Sequence, residues 1–250
     1  MKLKGKVALI TGGGTGIGRA ISLNYAKAGA AVVITYSKSE QEALATVAEL
    51  RGLGCESLAL QVDVSSDGAV REMVSKAHLQ AGRLDILVNN AGMTKFVDHA
   101  NLQGMDEATW DRIFAVNLKG TFFCSRAVAP IMKQQGSGRI INIASVAGIT
   151  GNGSSIAYCA SKAGVISITK SLARALAPQI SVNAIAPGLV DTRWLDGSQR
   201  ADAMRKNFQA GALLQRVGSP EDVSEIALSM AADWSFVTGQ IVVVDGGRTL

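Results

Sequence analysis

Tyr158 and Lys162 stand four residues apart in Tyr158-Cys159-Ala160-Ser161-Lys162, and Ser145 precedes the tyrosine by thirteen residues. On a helix this spacing puts the phenol and the ammonium on one face, about one turn apart. A phenol titrates near pH ~10 and is a poor proton shuttle at neutral pH. A cation within reach favours the phenolate and is expected to lower that value by roughly one to three units. The phenol would then approach the range useful for acid–base chemistry. In an arbitrary chain the same pair is two side chains on a solvated helix; the motifs around it favour chemistry here. The only histidines, His78 and His99, have no nucleophile paired with them in the sequence.

A second constellation is Thr11-Gly12-Gly13-Gly14-Thr15-Gly16-Ile17-Gly18, between the first apolar run and the first helical pattern. Glycines let the chain turn sharply and let its backbone approach a pyrophosphate. The helix behind them offers free N–H groups and the positive end of its dipole. The spacing is G-x-x-x-G-x-G rather than G-x-G-x-x-G, so its place between strand and helix carries the argument for dinucleotide binding. An NAD site of this kind normally has an acid about 20 residues further on, gripping the ribose hydroxyls. Here the region reads Thr35-Tyr36-Ser37-Lys38-Ser39, with no carboxylate before Glu40. A carboxylate would repel a 2′-phosphate, whereas hydroxyls and Lys38 would accept one. NADP(H) is therefore favoured over NAD(H).

The elements that must position these groups can be read from apolar patterning. Val7–Thr11, Ala31–Thr35, Ser57–Val62, Ile86–Asn89, Arg139–Ala144, Ser181–Ile185 and Ile241–Val244 are short, almost continuously apolar runs, as in strands covered on both faces. Helical patterns lie near 17–28, 40–52, 67–81, 107–135, 156–177 and 220–232. The last should begin with Ser219 as cap, Pro220 in the first turn and Asp222 closing a box. This alternation predicts βαβ units, right-handed crossovers and a parallel sheet. The stretch from about Val190 to Val217, with Asp191, Arg193, Trp194, Asp196, Gly197 and Gly211, has a weak helical signal. It is either a lid over a binding site or a helix whose Trp194, Leu195, Met204, Phe208, Leu213 and Leu214 join the core.

The 250 residues are 48% hydrophobic and 18% charged, with net charge +5, an ordinary globular composition. Lysines and arginines are scattered, so the clustered patch that nucleic acid binding needs is missing. A mild positive field suits an anionic cofactor. Cys55, Cys124 and Cys159 have neither metal-type nor disulfide-type spacing. No leader-like or membrane-length apolar run is present. A cytoplasmic protein binding neither membrane nor metal is expected.

Over essentially its whole length the chain resembles the short-chain dehydrogenase/reductases. The resemblance rests on Thr11–Gly18, Asp63-Val64, Asn89-Asn90-Ala91-Gly92, Asn117, Ser145, Tyr158-x-x-x-Lys162, Pro187-Gly188 and Thr192, with Thr238-Gly239-Gln240 and Asp245-Gly246-Gly247 near the end. Each piece is modest alone; their order and intervals are specific. The resemblance implies one α/β domain over 1–250, a Rossmann arrangement with a seven-stranded parallel sheet and three helices on each face, and usually a homotetramer. It implies a pyrophosphate cradle of Gly12, Gly14, Thr15, Gly16, Ile17 and Gly18. Asp63 and Val64 would meet the adenine, and Asn90, Ala91 and Gly92 the nearby ribose and wall, although such a turn also braces a sheet. Pro187, Gly188, Val190 and Thr192 would hold the carboxamide end of the nicotinamide.

The implied reaction is reversible hydride transfer between a nicotinamide and the carbon of a small-molecule carbonyl or secondary alcohol. Tyr158 would exchange the proton and Ser145 would hold the oxygen. Lys162 would lower the phenol pKa and bind the nicotinamide ribose, and Asn117 would anchor a water leading to the lysine. With Gly151-Asn152-Gly153 before Tyr158, the pattern looks most like the 3-oxoacyl-(acyl carrier protein) reductases, where basic residues on two helices dock the acidic carrier. Arg174 matches one of these; the other region reads Lys133-Gln134-Gln135, less basic than expected. An NAD(H)-dependent alcohol, sugar or polyol dehydrogenase of the same fold stays open, as does a dinucleotide-binding sensor without turnover. The complete Asn117, Ser145, Tyr158 and Lys162 set argues against the sensor.

Overall fold

The computed structural model describes residues 1–195 and 201–250; Asp196 and Gly197 of the expected lid lie outside the described residues. Seven parallel strands form one sheet in the order β3-β2-β1-β4-β5-β6-β7. They are β1 (Val7–Ile10), β2 (Ala31–Tyr36), β3 (Ser57–Gln61), β4 (Ile86–Asn89), β5 (Gly138–Ile143), β6 (Ile180–Pro187) and β7 (Ile241–Val244). Strand order reverses between β1 and β4, and in such a sheet ligands bind beyond the carboxyl ends of the strands at that crevice.

Alternation along each strand divides its side chains between two cores. Ala8 and Ile10 of β1, Val32 and Ile34 of β2, and Ile86 and Val88 of β4 face one side. Leu9, Val33 and Leu87 face the other. The first side is covered by α1 (Gly16–Lys27) between α2 (Glu40–Gly52) and α9 (Pro220–Ala232), through Ile21, Tyr25, Val47, Leu50 and Val223. The second is covered by α3 (Asp67–Ala81), α5 (Gly120–Gln134) and α7 (Ile156–Leu176). The three-helices-per-face arrangement is therefore present. The Ser219 hydroxyl accepts from the Asp222 amide while the Asp222 carboxylate accepts from the Ser219 amide, which is the predicted capping box.

Two features were not anticipated. The long helix expected over 107–135 is α4 (Glu107–Phe114) and α5 joined by a π-helical turn, Ala115–Lys119. The second is a short helix, α6 (Ala147–Thr150), which follows β5; α8 (Ala201–Gly211), in the 190–217 stretch, is the helix that was one of the two readings of that stretch.

Asp85, buried at the foot of the sheet, ties β1 to β4. Its carboxylate accepts from Arg83 Nη2 and Nε at 2.6 and 2.7 Å, the Val7 amide at 3.0 Å and Lys6 Nζ at 3.1 Å. Burial alone would raise this carboxyl, but the bonds from Arg83, Val7 and Lys6 hold it below its ordinary value. A depressed folded pKa means the stabilisation is present above the unfolded pKa and is lost as pH falls through the folded one. Asp85→Ala is expected to lower Tm at neutral pH by about 4–8 °C, equivalent to about 2 kcal/mol. It should also flatten the fall of Tm below about pH 4. Thermal melts across pH check both; a variant melting like the parent contradicts them.

Candidate active site

All seven strands deliver their carboxyl ends, or the loops that follow, to one cleft of ≈ 1190 Å³. The turn after β1 lines its floor with Gly12, Thr15, Gly16 and Ile17. Gly12 and Gly16 have φ of +64° and +51°, a region that favours glycine. Gly14 and Gly18 stand back from the cleft. A Cβ on Gly14 would lie 2.8 Å from the Ala43 Cα of α2, and one on Gly18 would collide with the Gly12 carbonyl oxygen. They let the turn and helices close together, and so shape the cradle from behind. The Thr15 side chain makes no capping bond to the first turn of α1, and Gly16 and Ile17 of that turn line the cleft. A backbone cradle at a helix N-terminus, lined by Gly12 and Gly16 in a conformation that favours glycine, fits a pyrophosphate. The residues present therefore suit a dinucleotide.

Along the cleft, β2 ends in Tyr36, Ser37 and Lys38, and β3 is followed by Val62, Asp63 and Val64. Burial would raise the Asp63 carboxyl, but hydrogen bonds from Ser65 and from Arg112 at 2.8 Å hold it below its ordinary value. After β4, Asn90 Nδ2 donates to the carbonyls of Thr11 and Gly12 at 2.9 and 3.1 Å. The Thr11 hydroxyl accepts from the Asn90 and Ala91 amides. Asn90 thus braces the glycine turn and also lines the cleft. Pro187, Gly188, Val190 and Thr192 line the far wall.

Ser145, Tyr158 and Lys162 converge at that far end. Ser145 sits two residues beyond β5, and its Oγ accepts from the Ala147 amide at 3.1 Å. Ser155 caps α7, its hydroxyl accepting from the Tyr158 amide, so Tyr158 and Lys162 occupy the first two turns. Lys162 is buried; its Nζ donates to the Ile143 carbonyl at 2.7 Å and lies 5.8 Å from the Tyr158 ring centroid. Here the expectation of an acidified phenol needs correction. Burial pushes Tyr158 up to about 12, against a hydrogen bond with Ser145 that pulls it down and a smaller raising effect of Cys159. Burial also pushes Lys162 down to about 8. Low-dielectric surroundings disfavour both charged forms, and the ammonium is aimed at a carbonyl.

Asn117 lies in the π-helical turn, 1% exposed and behind the cleft wall. Its Oδ1 accepts from the Met93 amide at 2.8 Å, and its Nδ2 donates to the Met93 carbonyl and to Ser161 Oγ, each at 3.0 Å. Ser161 Oγ in turn donates to the Tyr158 carbonyl at 2.8 Å. Asn117 therefore clamps the loop after β4 to the turn of α7 between the tyrosine and the lysine. A helix-unfavourable asparagine at a π-turn, a feature frequent at functional sites, has its explanation in this clamp.

Trp194, Leu195, Met204 and Phe208 line the cleft, the last two from α8, so the described residues of the 190–217 segment include both a helix and cleft-lining side chains. Leu213 and Leu214 are 69% and 67% exposed and join neither core nor cleft. Phe96, Arg112 and Arg248–Leu250 also line it; only the topology brings them there, and no local spacing announced them. Neither histidine does. The three cysteines are free and buried. Among the described residues no metal-type cluster exists and no helix is long and apolar enough to cross a membrane.

The family described as Enoyl-(Acyl carrier protein) reductase matches residues 12–249. The chain is 41% identical over 253 residues to 3-oxoacyl-[acyl-carrier-protein] reductase FabG of Thermotoga maritima, covering 100% of both. It is 40% identical over 244 residues to the protein of that name from Staphylococcus aureus strain Mu50, covering 97% of each. The crystal structure of a short-chain type dehydrogenase/reductase from Mycobacterium marinum superposes with a TM-score of 0.91 at 35% identity, over 99% of this chain and 96% of that one.

Proposed function

Because the chain belongs to the short-chain dehydrogenase/reductase family of oxidoreductases, we propose that it is an NADP(H)-dependent carbonyl reductase, with 3-oxoacyl thioesters as the substrate class to test first. The observation that carries this reading is the convergence of Ser145, Tyr158 and Lys162 at one end of a cleft floored by the glycine turn. When bound, the nicotinamide supplies the hydride. A phenol at about 12 keeps its proton at neutral pH, so Tyr158 is a proton source for a carbonyl oxygen gaining negative charge. Ser145 donates a hydrogen bond to that oxygen and holds it in place. Lys162, at about 8, is mainly charged at neutral pH, stabilises the phenolate left behind and binds the nicotinamide ribose. Asn117 keeps the loop after β4 and the start of α7 in register, and anchors the water leading to the lysine. The 190–217 segment covers the substrate.

The end of β2 supports the cofactor preference. Glu40, the first acid there, accepts from the Tyr36 hydroxyl at 3.0 Å, while Ser37 and Lys38 line the cleft. Lys38→Glu is expected to raise the KM for NADPH tenfold or more, since the new carboxylate repels a 2′-phosphate, and to leave that for NADH within about threefold. Steady-state kinetics with both cofactors checks this; an unchanged NADPH constant contradicts it. Three buried free thiols suit a reducing cytoplasm. Arg174, exposed in the last turn of α7, offers one contact to an acidic carrier, and a homotetramer is the expected assembly. The deciding experiment follows oxidation of NADPH and NADH with acetoacetyl thioesters, diketones and sugars. NADPH-dependent thioester turnover is expected; turnover confined to sugars with NADH contradicts the reading.

A further inference from the structure

Trp194 is 44% exposed although it is among the largest apolar side chains in the molecule, and the surface it exposes lines the cleft. Its ring packs edge-to-face with Tyr158, centroids 6.4 Å apart and planes at 75°. Its Cη2 would lie 3.8 Å from a Cβ on Gly92, in the gap where Asn117 Oδ1 and Lys162 Nζ also approach. The indole thus stands beside the phenol, the ammonium and the turn after β4 at once.

Its placement is fixed by its neighbours in sequence. The Leu195 amide donates to the Thr192 carbonyl at 2.9 Å, closing a turn around Arg193 and Trp194. Leu195 is 3% exposed and anchors the turn inside. Arg193 pairs with Glu42 of α2 at 2.9 Å, and the Thr192 methyl lies 3.3 Å from a Cβ position on Gly16. Held at three points, the turn presents Trp194 as a preformed wall. A large indole with two rotatable bonds loses little entropy when a ligand covers it. Met93, Phe96, Met204 and Phe208 line the same cleft, together with polar residues such as Thr94, Asn152, Ser154 and Asn207, so the cleft offers apolar and aromatic surface beyond the indole.

We infer that Trp194 is a specificity-determining residue that seats a planar apolar substituent, such as an aryl group, on the carbonyl reacting at Tyr158. The inference rests on the proposed reductase reading and names its substrate class more narrowly: ketones with one flat, unsaturated arm beside the reacting carbon. Trp194 acts by packing and has no part in proton transfer.

Two measurements test it. In the first, wild type, Trp194→Phe and Trp194→Ala reduce ethyl benzoylacetate and ethyl acetoacetate, which differ by phenyl for methyl. The ratio of kcat/KM values for the two esters is compared between enzymes, so their intrinsic reactivities cancel. Trp194→Ala is expected to lower the phenyl-to-methyl ratio about fivefold, the size of one aromatic pairing, and Trp194→Phe by no more than about twofold. In the second, dissociation constants of 1-phenylethanol and 2-butanol are read by ligand-observed NMR on enzyme saturated with NADPH, where no turnover occurs. Weakening of the aryl alcohol alone in Trp194→Ala is expected. An unchanged or increased phenyl preference, or equal weakening of both alcohols, overturns the inference. If wild type reduces neither ester, the reductase reading fails by that result, and the alcohol pair still judges the wall.

Discussion

Tyr158→Phe is expected to lower kcat about a thousandfold while the dissociation constant for the nicotinamide cofactor stays within about twofold. The substitution removes one oxygen. The ring that packs against Trp194 and lies under Lys162 remains, as do the Ser155 cap and the Ser161 bond to the backbone of residue 158. The proton is what disappears. A phenol raised to about 12 by burial is an acid that holds its proton until the neighbouring oxygen gains charge, and phenylalanine has no equivalent. Single-turnover kinetics with a separate cofactor titration distinguishes the two effects. A variant that keeps more than about a tenth of the turnover identifies a different proton source.

Lys162→Ala is expected to damage both quantities: turnover by about a hundredfold or more and cofactor affinity by about tenfold or more. The ammonium is the positive charge beside the phenol, and its Nζ satisfies the Ile143 carbonyl at the end of β5. Truncation leaves that buried acceptor unpaired, which costs about 1–3 kcal/mol, so melting is measured alongside. The same group sets a pH limit. With Lys162 at about 8, its charge is present below that value and lost as pH rises through it. Reductive kcat/KM in the wild type should therefore fall above pH about 8, and that limb should vanish in Lys162→Ala. Cofactor affinity unchanged in the variant contradicts the ribose role, and an alkaline limb that persists contradicts the lysine's part in it.

The sequence was most legible where local chemistry and the global fold ask for the same residue. Continuous apolar runs such as Val7–Ile10 can be satisfied only between two helix layers, and their boundaries differ from those read by a residue or two. The Ser219 and Asp222 box was visible because a cap lies within four consecutive residues. The positions of Ser145, Tyr158 and Lys162 followed from a strand end and one helical turn. What could not be read depends on distance in space. Arg112 meets Asp63 across 49 positions, and Arg248 reaches the cleft from the end of the chain. The sign of the Tyr158 shift was misread because a four-residue spacing gives the lysine's direction along the helix and says nothing of the water removed from both groups. Gly14 and Gly18 read as ligand contacts, yet their missing Cβ atoms serve Ala43 and Gly12. The π-turn holding Asn117 left no mark beyond an asparagine where a helix does not favour one.

The most direct test uses reduced nicotinamide cofactor carrying deuterium at the transferring position and acetoacetyl thioester as acceptor, with the product analysed by mass spectrometry. Wild type should place the label on the new carbinol carbon, and Tyr158→Phe should yield next to none over the same interval. Unlabelled product from wild type, or equal labelling by both enzymes, would contradict hydride transfer assisted by the Tyr158 proton.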